Sequence, residues 1–73
     1  MFKLKFKVLF KSGIKKSYKS KSFSSYKQCK SNKEEYISFF KVCFRDDKDG
    51  QLNIGNNIIR TSDVSAVTIK ITI

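Results

Sequence analysis

The sequence has no histidine, no proline and no tryptophan, only three glycines and two cysteines, and no acidic residue before Glu34. Each shortage excludes a class of chemistry. Without histidine the usual general base near neutral pH is missing. Cys29 and Cys43 cannot by themselves fill a tetrahedral zinc site, and a cysteine nucleophile with no histidine beside it needs an unusual activator. The serines stand in no nucleophile-elbow context, and Gly13, Gly50 and Gly55 form no phosphate-cradling loop. The chain is therefore expected to bind something rather than to catalyse, with no metal and no cofactor. No run approaches the roughly 18 apolar residues that span a bilayer. A disulfide is allowed by the cysteine count, but the opening residues alternate lysine with apolar side chains and contain no continuous apolar leader segment. Two reduced, buried thiols in a cytoplasmic protein are the expectation.

What is present points to one small packed domain spanning residues 1–73. That length is near the lower limit at which a hydrophobic core holds a fold unaided. A hydrophobic fraction of 40% and ten aromatics (seven Phe, three Tyr) separate the chain from a disordered tail. The net charge of +10 is unevenly spread: residues 1–33 hold eleven lysines and no acid, whereas residues 34–73 hold five basic and six acidic residues. An AT-rich coding sequence over-produces Lys, Ile, Asn and Phe, which accounts for lysine in general. It does not account for the retreat of acids from the first 33 residues.

Period-two alternation is clearest over Phe2–Lys11. Phe2, Leu4, Phe6, Val8 and Phe10 face one way; Lys3, Lys5, Lys7, Leu9 and Lys11 face the other. Ser12-Gly13 marks a turn. A second strand is expected over Ile14–Ser22, with Ile14, Lys16, Tyr18 and Ser20 inward and Lys15, Ser17, Lys19 and Lys21 outward. Matching the two faces requires an odd loop, met by three residues around Gly13. From Phe23 the spacing turns helical, predicting a short helix over Ser24–Ser31 capped by Ser22 or Ser24, its boundary open as far as Phe39. Tyr36–Arg45 reads as a third strand with Tyr36, Phe40, Val42 and Phe44 inward. Further strands are expected at Gln51–Ile54, Ile58–Thr61 and Val67–Ile73, the last two separated by a break with one 3₁₀ turn. The fold class is thus α+β and β-rich, in the order β-β-α-β-β-β-β. It forms an antiparallel sheet or a small open SH3-like barrel with one short helix packed on it.

Asp47-Lys48-Asp49-Gly50-Gln51-Leu52-Asn53 overlays the middle of a calcium-binding loop. The positions that should close the cage are Arg45 and Asn56, so the segment reads as a polar turn. The functional candidate is instead the lysine-rich hairpin. Alternate strand residues lie about 6.6–6.8 Å apart, comparable to successive phosphates along one nucleic-acid strand. Lys3, Lys5, Lys7, Lys11, Lys15, Lys19 and Lys21 are the expected contacts to nucleic acid or to another anionic partner, and Tyr18 and Tyr26 the candidates for base stacking. The same face suits an acidic protein surface. Only Leu9 is apolar on it, so nothing inserts into lipid and no membrane partner is expected. The final apolar strand offers an edge for a homodimer.

The segment Gln51–Ile69, with its strand, short polar turn and closing Val/Ile-rich strand, resembles the ending of many small, mostly uncharacterised β-rich proteins of low-GC Gram-positive bacteria and their phages. Val8-Leu9-Phe10-Lys11-Ser12-Gly13 is similar to their first hairpin, and Sm-like and SH3-like barrels share the rhythm. The resemblance implies a small β-rich fold and a mobile-element origin; it carries over no functional residue, and the basic hairpin departs from it. Two roles follow as expectations. One is a nucleic-acid-binding module of low sequence specificity; the other is a phage- or element-encoded effector that binds and inhibits a host protein.

Overall fold

The computed structural model describes residues 1–73, and alternation on β1 (Lys3–Phe10) divides the molecule in two: Leu4, Phe6 and Val8 are buried on one side, while Lys3 and Lys7 are exposed on the other. Three residues, Lys11-Ser12-Gly13, turn the chain into β2 (Lys15–Lys19). The Phe10 N–H donates to the Ile14 carbonyl at 2.9 Å, and the Gly13 N–H donates back to the Phe10 carbonyl at 2.9 Å. Gly13 takes φ 91°, a conformation glycine adopts without a Cβ penalty. The odd loop sets Phe6 opposite Tyr18, Lys5 opposite Lys19 and Lys7 opposite Ser17, so the two faces match as the alternation predicts. β5 (Val64–Thr72) pairs antiparallel with the other edge of β1, giving a three-stranded sheet ordered β2-β1-β5.

The chain then returns through Phe23, whose backbone exchanges hydrogen bonds with Phe2 at 2.9 and 2.7 Å, and enters α1 (Tyr26–Arg45). The cap is Ser25, one residue beyond the expected candidates, with its side chain accepting from the Gln28 N–H. This helix replaces the predicted third strand at Tyr36–Arg45 and extends the predicted short helix by fourteen residues, from Ser31 to Arg45. Aromatic and β-branched residues at Tyr36, Ile37, Phe39, Phe40 and Val42 favour a strand by composition. Burial overrides that preference. Cys29, Tyr36, Ile37, Phe40 and Cys43 fall on one helical stripe and dock on the sheet, whereas Val42 and Phe44, expected inward, are 39% and 41% exposed. The Phe6 and Tyr36 rings meet edge to face, with centroids 5.0 Å apart. The fold therefore remains a β-rich α+β domain, with one strand fewer than expected.

The helix ends in a left-handed residue that is not glycine: Asp47 has φ 51°, and the Lys48 N–H reaches back to the Cys43 carbonyl at 2.9 Å. β3 (Gln51–Ile54) and β4 (Asn57–Arg60) form a separate two-stranded hairpin that contributes Leu52, Ile54 and Ile59 to the core. Thr61, 3% exposed, ties this hairpin to the end of the helix. Its hydroxyl accepts the Gly50 N–H at 2.7 Å and donates to the Lys48 carbonyl at 3.0 Å, and its own N–H donates to the Gly50 carbonyl at 2.8 Å. Gly50 is required there by space: a Cβ would lie 2.7 Å from the Phe39 ring and 2.9 Å from the Cys43 sulfur.

A 3₁₀ turn at Thr61–Asp63 leads into β5, which begins three residues before the expected Val67. Leu9 pairs with Ala66 but Phe10 pairs with Val64, leaving Ser65 as a bulge. The bulge switches the phase of the strand. Val64, out of step with Val67, Ile69 and Ile71, is therefore still buried.

Thr61→Val keeps the shape of the side chain but leaves the Gly50 N–H and the Lys48 carbonyl without their partner. We expect it to lower stability by about 2 kcal/mol, read as a fall in the denaturant midpoint at unchanged slope.

Candidate nucleic-acid interface

On the core-facing side of the three-stranded sheet Leu4, Phe6, Val8 and Ile69 are buried, while Lys16 and Ile14, expected inward, are exposed at the β2 margin. The other side carries the remaining lysines of the sheet. Across the strands, register defines three adjacent rows: Lys19–Lys5–Lys70, then Ser17–Lys7–Thr68, then Lys15–Leu9–Ala66; Lys3 stands opposite Thr72 beyond the first. With strands about 4.8 Å apart and like-facing residues about 6.7 Å apart, six lysines occupy a patch roughly 10 Å wide and 20 Å long. No acidic side chain lies on these strands. Both ion pairs of the molecule use arginine, so none of the six lysines is neutralised within the fold. A shallow depression of about 440 Å³ runs over Leu9, with Lys7, Lys15, Ser17, Ala66 and Thr68 in its lining.

Five of the seven expected lysines are brought together here: Lys3, Lys5, Lys7, Lys15 and Lys19. Lys11 sits in the hairpin turn, its N–H donating to the Asp63 carbonyl at 2.9 Å. Lys21 follows β2, its ammonium 6.0 Å above the Phe23 ring. Neither tyrosine joins the lysine face. Tyr18 stands opposite Phe6 on the core side, half-buried, because its place in the alternation commits it there. Tyr26, 52% exposed, opens the helix and packs edge-on to Phe2 with centroids 5.6 Å apart. Lys70 is the residue that sequence reasoning missed. Its outward position follows from alternation in the last strand, but its place beside Lys5 depends on β5 pairing with β1, which no local pattern encodes.

The thiols are free and buried, and they lie fourteen residues apart on one helix, about 21 Å along its axis. No disulfide spans that distance. Asp49 of the calcium-like segment pairs with Arg60 across the base of the β3–β4 hairpin. The hydrogen bond from the Arg60 guanidinium, followed by that from Ser62, holds the Asp49 carboxyl below its usual range. This pair closes the base of the hairpin, where Gln51 stands opposite Arg60.

No helix is long and apolar enough to cross a membrane. No protein-family model matches the chain, and no curated protein or solved structure matches it either. Fold and surface together define a small α+β domain whose outer sheet face is a lysine array.

The array costs stability when nothing is bound to it. Lys5 is half-buried on the central strand with Lys19 on one side and Lys70 on the other, and like charges directly opposite repel. Lys5→Gln is expected to raise stability by about 0.5–1 kcal/mol at low ionic strength. The gain should shrink as salt is added, in paired denaturant titrations; a gain independent of salt would show that repulsion is not its source.

Proposed function

We propose that the domain binds nucleic acid through the outer face of its three-stranded sheet, contacting the phosphate backbone without strong sequence specificity and without catalysis. The observation that carries this reading is the arrangement of six unpaired lysines on three hydrogen-bonded strands with no acid among them. A polyanion relieves the repulsion within the Lys19–Lys5–Lys70 row and releases its own counterions on binding. Lysine is a point charge that lacks the guanidinium fork used for bidentate reading of guanine, so backbone contact without base readout is what such a face supports.

The measurement is affinity for a labelled oligonucleotide across salt. Six engaged lysines give a slope of log K against log salt of between about −4 for a single strand and about −5.5 for a duplex. Replacing Lys3, Lys5 and Lys7 together by Gln should bring the slope to between about −2 and −3 and weaken binding without unfolding the domain. Undetectable binding at low salt, or affinity indifferent to salt, would refute the proposal. One stoichiometric protein partner captured after nuclease treatment would identify the face with the host-protein effector role instead.

Self-pairing is part of the same reading, supported by the position of β5 at the margin of the sheet, with one edge unpaired. Antiparallel pairing of two copies centred on Thr68 sets Lys70 against Ala66 and not against another lysine, and makes the two lysine faces continuous. Sedimentation of the free protein should then give twice the 8.5 kDa chain mass. A monomer mass at every concentration tested would remove this arm and leave the binding proposal standing.

A further inference from the structure

We propose that the lysine face takes the double helix in preference to a single strand, an inference that rests on the nucleic-acid reading above. Surfaces that hold single strands combine positive charge with aromatic side chains on which unpaired bases stack. This face has the charge and none of the aromatics. Phe2, Phe6 and Phe10 lie on the opposite side of β1, and Tyr18 lies opposite on β2. Between the lysines the face offers only Leu9, Ala66 and short hydroxyl side chains. An unpaired base finds nothing there to replace the stacking it gives up.

The layout of charge argues the same way. A single strand presents one rail of phosphates, which a single column of lysines, Lys3, Lys5 and Lys7, would satisfy. The structure adds Lys15 and Lys19 on one flank and Lys70 on the other, with the flanking strands about 10 Å apart. Ammonium groups on both flanks face the phosphate rails that border a duplex groove, about 6 or 12 Å wide in B-form DNA. The duplex also carries one charge per roughly 1.7 Å of axis, twice the density of one strand, so more of the array is engaged at once.

The test is binding, at one low salt concentration, to a DNA duplex of about 20 base pairs, to each of its separated strands, and to an RNA duplex of the same length. Both duplexes are expected to bind at least about tenfold tighter than either single strand, and scrambling the sequence should change affinity by less than about twofold. Tyr26→Ala, which removes the one well-exposed tyrosine, should leave single-strand and duplex affinities within about twofold, whereas loss of a stacking contact costs about fivefold or more. Single strands binding as tightly as duplexes, or a large loss in the Tyr26 variant, would overturn the inference and leave backbone binding intact. No binding to any of the four probes would overturn the proposed function itself.

Discussion

β1 is hydrogen-bonded along both edges, and its two sides have opposite requirements. Leu4, Phe6 and Val8 are almost wholly removed from water, while Lys3, Lys5 and Lys7, interleaved with them, must reach it. Side chains alternate with period two, so a slip of one residue in either pairing would present a neighbour's lysines to the core and its apolar residues to solvent. The cost of burying even one unpaired ammonium exceeds what the rest of a small domain can offset. Register across the whole sheet therefore follows from this one strand. Its neighbours inherit a core side and a solvent side, and the lysine rows are the counterpart of the buried rows beneath them.

That constraint also explains which parts of the molecule were legible in the sequence. The first hairpin, its loop of three residues and the inward place of Tyr18 follow from alternation alone, because a half-buried strand writes its geometry into every second residue. The helix was legible only at its start. Tyr36–Arg45 is rich in residues that favour strands, and the stripe through Cys29, Tyr36, Phe40 and Cys43 shows only when helical spacing is carried across the whole segment. The two cysteines, expected to be buried thiols, are members of that stripe. At β5 the bulge at Ser65 broke the alternation and hid the first three residues of the strand.

The site divides along the same line. Lysines within one hairpin were recognisable as a group, since their proximity is local. Lys70 was not, because its neighbour Lys5 is 65 positions away and only the sheet order joins them. The tyrosines lie off the lysine face for a related reason: composition supplies the residue type, but phase and docking decide which surface receives it. Three lysines abreast are tolerable in water, at a cost in stability that an approaching anion would relieve.

The pairing of β1 with β5 joins the first strand to the last, down to the Thr72 hydroxyl donating to the Lys3 carbonyl at 3.4 Å. During synthesis, β5 is made after every other element described. Until it arrives, β1 has one vacant edge and its buried row is covered only in part. The central strand is thus completed only by a non-local pairing, which favours slow, cooperative assembly over stepwise growth from the N-terminus. A nascent chain at that stage already displays all eleven lysines of the acid-free segment, with its apolar row still incompletely shielded. Mutual repulsion among these lysines opposes the association of such chains while the apolar row is uncovered, because like net charge keeps incompletely folded chains apart.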